Sequence, residues 1–392
     1  MNSGSRRTLY QLQRMSRLQS NTELNNAPSS PSWTPVAIKK RVKQRVEERN
    51  SWSTYAEPTP GKVLKLLCGN ASKMVFQRGL TSQQELDEVF PVKDVDWPTL
   101  KNPNLDRIQS TWIGHATVFV QMGGYNILTD PVFSQRCSAV QWAGPKRLRR
   151  PACTIEELCL KEKVGVDIVM ISHNHYDHLD YNSVQELAAA SITMDRPMMF
   201  VVALGLKKWF ERYIPNSVKG RNSVIELDWH EKHIVESTDG RKALEVTGIP
   251  MQHWSNRNGF DKDKSLWCGF GVKTVDDDNN SSRNFLFSGD TGYFEGLDDI
   301  GEKYGEFDLA AIPIGAYEPR WFMVNQHTNP DDAVKMMTAV KAKHAWGIHW
   351  GTFALTIEPT MEPRERLTEA MKLARKDPST FVAGNIGETK IV

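Results

Sequence analysis

Between residues 173 and 178 the chain reads His-Asn-His-Tyr-Asp-His. Three imidazoles and one carboxylate follow directly on Val166–Ser172, an apolar run of buried-strand length. Side chains alternate along an extended segment, so His173 and His175 share a face and can reach one ion. Asp177 and His178 follow as the chain turns and can face a second ion a few ångströms away. Nitrogen donors mixed with carboxylate oxygen suit zinc, with iron or manganese as alternatives.

Reading outward from this cluster, three further residues complete a two-metal centre. His253 lies just after the predicted strand Ala243–Ile249, Asp290 ends Phe285-Leu286-Phe287-Ser288-Gly289-Asp290, and His349 ends Ala345-Trp346-Gly347-Ile348-His349. Each stands at the carboxyl end of a strand, where α/β sheets gather ligands. Asp290 can bridge two ions, one on each oxygen. Taken singly, His253 and His349 read as packed or surface histidines and Asp290 as a turn residue in Gly-Asp-Thr-Gly; it is the joint pattern that selects them. His230, His233 and His344 lack such a context. His115, in Trp112-Ile113-Gly114-His115-Ala116-Thr117, is either a partner behind a ligand or a core histidine, with the core reading ahead.

The chain has 392 residues, 40% of them apolar, which is enough for a large buried core. A net charge of +2 argues against a dedicated nucleic-acid binder. Charge is unevenly spread, however: residues 1–50 carry ten Lys/Arg against three Glu, a balance of +7. Such an arm suits an anionic partner, a membrane surface or nucleic acid, or is simply a solvated tail. The five cysteines are odd in number and form no Cys-x-x-Cys pair, as expected of reduced thiols in an intracellular protein. No secretory h-region opens the chain. Apolar runs such as Met198–Leu206 fall short of the ~20 residues a membrane-spanning helix needs, so membrane association is expected to be peripheral.

Residues 1–50 read as a disordered basic region, with Ala37–Arg49 a charged stretch of helical character. Residues 51–104 read as an N-terminal extension able to face a membrane. Within it, residues 61–76 mix Lys with Leu, Val, Met and Phe and can form a short amphipathic element on the core or at a lipid interface. The catalytic domain is expected over 105–392. Thr111–Gln121 and Tyr125–Thr129 read as β-rich runs joined by the hairpin signal Gly123-Gly124. Further strands are predicted at Met199–Gly205, Val224–Asp228, Ala243–Ile249, Phe285–Ser288, Leu309–Ile314 and Ala345–Ile348. Helices are predicted at Ser183–Ala190, at Glu362–Lys376 and at Pro330–Ala342, the last with Asn329 as its cap. Residues 276–282 read as a solvated loop tip.

The motif His-x-His-x-Asp-His, followed by separate His, Asp and His residues, resembles the signature of the metallo-β-lactamase fold superfamily over residues 105–392. More closely, TWIGHATVFV, LTDPVFSQR, GPKRLRR, ISHNHYDHLDYNSV, FSGDTGY, DLAAIPIGAYEPRWFM and IHWGTFAL resemble the family of N-acylphosphatidylethanolamine-hydrolysing phospholipases D. The resemblance implies an αββα sandwich with two zinc ions between its sheets. It implies that His173, His175 and His253 hold one zinc, that Asp177, His178 and His349 hold the other, and that Asp290 bridges them. All seven positions carry the matching residue type.

From the resemblance, the expected reaction is phospholipase D-type hydrolysis of N-acylphosphatidylethanolamines to N-acylethanolamines and phosphatidic acid by a hydroxide shared between the ions. Asp177, Asp290 and His327 are the candidate catalytic residues, with His327 orienting phosphate or protonating the leaving oxygen. Tyr181, Gln326 and His327 are the candidate substrate contacts. Lys146, Arg147, Arg149 and Arg150, beside Trp142 and Leu148, are the candidate membrane-binding run. The expected partners are a phospholipid substrate in membranes and a second copy of the chain, with no nucleic acid. The expected location is the cytosolic face of intracellular membranes such as Golgi or endosomes. Two alternatives remain at this point: a hydrolase of the same fold acting on a soluble lactone, thioester or nucleotide, and a non-catalytic lipid- or RNA-binding protein. Seven intact ligand positions speak against the second.

Overall fold

The computed structural model describes residues 33–59, 61, 62, 65, 82–214, 222–236, 242–275 and 282–392. The expectations for residues 1–32, for most of the 61–76 element and for 276–281 lie outside them.

Two seven-stranded sheets form the centre. The first contains β1 (Gln109–Gly114), β2 (Thr117–Met122), β3 (Tyr125–Thr129), β4 (Ile168–Ile171), β5 (Met199–Ala203) and β6 (Ser223–Leu227). The second contains β7 (Lys232–Val235), β8 (Ala243–Ile249), β9 (Gly269–Val275), β10 (Asn284–Phe287), β11 (Phe307–Pro313), β12 (Ala342–Ile348) and β13 (Phe381–Val382). β14 (Thr389–Ile391) returns to the edge of the first sheet. The orders are β14-β1-β2-β3-β4-β5-β6 and β13-β12-β11-β10-β9-β8-β7. Each sheet is antiparallel in one half and parallel in the other. β1 to β4 are buried along their whole length, and β4, Ile-Val-Met-Ile between parallel neighbours, reads as an unbroken apolar run.

Most predicted strands stand within two or three residues of their observed bounds. The Gly123-Gly124 hairpin forms with both glycines at positive φ (57° and 87°), pairing Met122 with Tyr125. The run Thr111–Gln121 instead divides into β1 and β2, because Gly114 (φ 128°) and His115 (φ 55°) turn the chain back. β7, β9, β13 and β14 were not expected: β13 and β14 are two and three residues long, and β7 alternates too weakly to stand out.

Helices cover the outer faces. α2 (Tyr181–Thr193) buries Val184, Leu187 and Ala188. α3 (Pro330–Ala339) starts as expected, with the Asn329 side chain accepting from Asp332 N at 2.8 Å and Pro330 in the first turn. It packs on β11 and β12 beside α4 (Glu362–Leu373).

The N-terminal reading needs correction. Residues 35–50 form α1, a 16-residue helix capped by Thr34 and docked on the body. The expected disorder of 1–50 fails from residue 33 onward, and the folded body begins far ahead of 105. α1 escapes a hydropathy reading because much of its docking is done by arginines. Arg45 grips Asp228 with two nitrogens, at 2.8 and 3.0 Å. Arg49, 1% exposed, donates to the His253 carbonyl at 2.9 Å and to Asp263 at 3.2 Å. Its guanidinium also lies over the rings of Tyr55 (4.3 Å) and Trp267 (4.7 Å). Within 51–104, Trp52, Leu86, Phe90, Val95 and Leu100 are buried in the protein and not turned toward a membrane. Trp52 stacks on Phe294 at 4.4 Å, and Phe90 on Trp350 at 4.8 Å. No helix among the described residues is long and apolar enough to cross a membrane.

Replacing Arg49 by Met keeps its length but leaves the His253 carbonyl without its donor. The substitution should lower the unfolding free energy by about 2–4 kcal/mol, read from urea denaturation. An unchanged midpoint would mean that α1 adds nothing to the fold.

Candidate metal centre

Five strand ends converge on one point between the sheets. β4 delivers His173, His175, Asp177 and His178; β8, β10 and β12 deliver His253, Asp290 and His349; β3 delivers Asp130. The approach is close enough to require glycine at 289. That residue has φ 59°, and a Cβ there would lie 2.6 Å from the Cβ of Ser172. Seven of the ten histidines in the chain stand in or against this centre.

Two four-residue donor groups form among the described residues. His173, His175, His253 and Asp290 bring their ligand atoms within 4.8 Å of one another, and so do His115, Asp177, His178 and His349. In the first, His175 Nδ1 lies 2.8 Å from His173 Nε2 and 3.3 Å from His253 Nε2. In the second, Asp177 Oδ2 lies 3.3 Å from His349 Nε2 and 3.5 Å from His178 Nε2. Asp290 joins them. Its Oδ2 is 3.8 Å from both His173 and His253, 2.9 Å from His178 and 3.2 Å from His349. The seven candidate ligands named from the sequence therefore lie together, and His115 joins Asp177, His178 and His349 in the second group.

The donor set fits divalent metal ions. Buried polar atoms in proteins nearly always find a hydrogen-bond partner, yet Asp290 Oδ1 and His175 Nε2 have none. Nitrogens facing one another with few protons to share leave a place that cations fill.

The electrostatics agree. Burial first, then neighbouring imidazoles, pushes His173 well below its ordinary pKa; burial does the same for His253 and takes His175 down to about 4. All three are neutral near pH 7, the ligating form. Burial alone would raise the carboxyls of Asp177 and Asp290, but the surrounding histidines, His178 foremost, reverse this and hold both well below the usual range. Burial likewise opposes charge on His178 and His349, and there the carboxylates win, Asp290 first: His178 is raised well above its ordinary value and His349 to about 9. Protons on those two rings supply positive charge that a cation would replace.

Groups behind the ligands aim them. Asp130, fully buried, accepts from His178 Nδ1 at 2.6 Å and from the backbone N–H and hydroxyl of Ser172 at 2.7 and 2.5 Å. Ser172 Oγ in turn meets His173 Nδ1 at 2.9 Å. One carboxylate thus orients a ligand in each donor group. Sequence reading passed over Asp130; the signal available was its place after β3, in Leu128-Thr129-Asp130-Pro131. The Gln326 carbonyl accepts from His253 Nδ1 at 3.0 Å, and its side-chain Oε1 accepts from Trp254 Nε1 at 3.0 Å. Gln326 therefore holds the His253 loop through both groups. His327 is buried, with Nδ1 4.0 Å from Asp290 Oδ2 and its carbonyl held by Arg320 at 2.6 Å. His115, weighed above mainly as a core residue, lies in the second donor group, with Nε2 3.1 Å from Asp177 Oδ2.

Other expected residues stand apart. Tyr181, at the start of α2, lays its ring edge-on against Trp209 and Tyr213 and is not among the converging groups. The basic run needs correction. Arg147 is buried, donates to the Val132 and Ser134 carbonyls and lies 4.9 Å over the Phe353 ring. Arg149 is buried and paired with Asp87 at 2.6 Å. Both hold the loop in place and cannot reach a lipid headgroup; Lys146 and Arg150 remain exposed. Replacing Asp130 by Asn, which frees its partners while keeping its shape, should weaken metal uptake by about 10–100-fold in a chelator-competition titration. Unaltered affinity would show that the ligands need no such support.

Residues 125–350 match the beta-lactamase superfamily domain. The N-acyl-phosphatidylethanolamine-hydrolyzing phospholipase D 1 of Caenorhabditis elegans is 39% identical over 312 residues, spanning 79% of this chain and 82% of that one. The mitochondrial N-acyl-phosphatidylethanolamine-hydrolyzing phospholipase D of Saccharomyces cerevisiae is 33% identical over 262 residues, 66% of this chain and 51% of the yeast protein. Among solved structures, an isothiocyanate hydrolase from Delia radicum gut bacteria covers 72% of this chain and 98% of its own at 18% identity and a TM-score of 0.52, a likeness of fold. A metallo hydrolase from Ignicoccus hospitalis covers 73% and 98% at 20% identity and a TM-score of 0.50. Two donor groups at the strand ends of paired sheets, together with these relatives, place the chain among the metal-dependent hydrolases of the beta-lactamase superfamily, in the family of the N-acyl-phosphatidylethanolamine-hydrolyzing phospholipases D.

Proposed function

We propose that the protein is a zinc-dependent phosphodiesterase that hydrolyses N-acylphosphatidylethanolamines to N-acylethanolamine and phosphatidic acid. The observation that carries the chemistry is the approach of Asp290 Oδ2 to histidines of both donor groups. The substrate is drawn from the names of the nematode and yeast relatives. His173, His175 and His253 would hold one ion, Asp177, His178 and His349 the other, with Asp290 shared. Bound there, two zinc ions supply Lewis acidity that activates water and offsets charge on the phosphodiester.

The remaining work falls to the chain. Asp290 fixes the spacing of the two sites. Asp177, kept ionised by His178 and its neighbours, can accept a proton from the attacking water. His327 is held uncharged, since burial pushes it down to about 3. A neutral imidazole donates one hydrogen bond, so of its two expected roles, orienting a phosphate oxygen is better supported than protonating the leaving group.

Replacing His349 by Ala should remove one of two zinc equivalents by elemental analysis and cut N-acylethanolamine release from vesicles more than about a hundredfold. Wild-type turnover should stop with a chelator and return with zinc. Release that ignores the chelator, or activity confined to soluble lactones or thioesters, would overturn the reading.

The substrate demands an interface. Trp142, 82% exposed, stands on one loop with Lys146 and Arg150, which supports peripheral binding to anionic membranes. The proposed location is the cytosolic face of intracellular membranes, in keeping with four free buried cysteines among the described residues. A homodimer is proposed from the family likeness and is open to a light-scattering check. The combined variant Trp142→Ala, Lys146→Glu, Arg150→Glu should bind anionic vesicles about tenfold or more weakly while still cleaving a detergent-dispersed substrate. Undiminished sedimentation with vesicles would remove this loop from the membrane face.

A further inference from the structure

His115 occupies a position that ordinarily favours glycine or asparagine. It turns the chain between β1 and β2 at φ 55° and is fully buried. A left-handed conformation at a bulky residue costs free energy, so something must hold it there. The contacts show what does. Its N–H donates to Thr352 Oγ1 at 2.7 Å. Its carbonyl accepts from Trp112 Nε1 at 2.9 Å and from the backbone N–H of His349 at 3.0 Å. Its ring brings Nε2 to 3.1 Å from Asp177 Oδ2. Asp177 follows β4 in one sheet, and His349 ends β12 in the other. One residue therefore touches, by different groups, two candidate ligands of the same ion that arrive from opposite sheets.

The ring can play two parts. Nε2 either carries its proton and donates to Asp177, or is bare and joins the donor group directly. Nδ1 decides between them. It is buried with no hydrogen-bond partner. A proton there would be a buried donor with nothing to meet, whereas a proton on Nε2 finds a carboxylate. A nitrogen that carries its proton is not a metal ligand. We infer that His115 is a positioning residue for the second metal site, donating from Nε2 to fix Asp177 while its carbonyl fixes the backbone of His349. The inference rests on the two-metal reading above, and zinc uptake tells the two apart without substrate.

The test is a zinc titration of the full chain against a chromophoric chelator, with the absorption spectrum of the cobalt-substituted protein as a second readout. His115→Phe keeps a ring and removes the donor. His115→Gln places an amide N–H near the position of Nε2. His115→Met removes the donor with an adaptable side chain and serves where phenylalanine does not fold, as judged by circular dichroism and thermal melting. Wild type should bind two equivalents. The Phe or Met variant should bind the first unchanged and the second about 10–100-fold more weakly, with an altered cobalt spectrum. The Gln variant should recover most of the loss. Two equivalents bound at wild-type affinity with an unaltered spectrum in the Phe or Met variant would make His115 a core residue and overturn the inference alone. A Gln variant as impaired as the donor-free ones would also overturn it, in favour of direct ligation by Nε2. A wild-type protein that takes up fewer than two equivalents would overturn the two-metal reading, and the inference with it.

Discussion

A carboxylate that is 4% exposed does not stay ionised in a protein interior unless charge or hydrogen bonds meet it. Asp290 is such a group, and four imidazoles stand within 3.8 Å of its Oδ2. Each of those rings is itself buried and would, alone, lose its proton. What keeps the carboxylate ionised is positive charge on His178 and His349, charge that divalent cations would supply in their place. The rest of the centre follows from this constraint. Asp130 and Ser172 orient rings that must point inward, and Gln326 and Arg49 hold the loop that carries His253.

The paired sheets are what make such a cluster possible. Parallel strands end on one side, and each sheet has a parallel half, so the ends of β3, β4, β10 and β12 open into the same space. The ligands lie as far apart in sequence as His173 and His349, yet no long loop is needed to bring them together. The C-terminal ends of β4, β8, β10 and β12, which carry the ligands, are buried. A rigid frame suits ligands that must be held to a fraction of an ångström.

Arginine accounts for the places where sequence and structure part. Arg45, Arg49, Arg147 and Arg149 all read as surface charge, and all are buried or nearly so. Each meets a carboxylate or carbonyl outside its own segment: Asp228, His253, Val132 or Asp87. A guanidinium offers five donors on a long apolar stem, so it can bury its stem and satisfy backbone carbonyls at once. The identity of that partner is invisible locally. The N-terminal helix therefore looked like a solvated arm, and two of the four residues in the basic run looked available to lipid.

From the sequence by itself came most of the strands, the Gly123-Gly124 hairpin, the cap of α3 and the seven candidate ligands. These are legible because each depends on neighbours within a few residues, or on histidines and aspartates gathered at the ends of predicted strands. The sequence could not say that buried His115 touches Asp177, that Asp130 stands behind His178, or that α1 reaches across to His253. Those outcomes depend on contacts between segments tens to hundreds of residues apart, and a hydrogen bond leaves no periodic trace in either segment. Tertiary structure alone decided them, because only the packing of two sheets fixes which buried donor meets which acceptor.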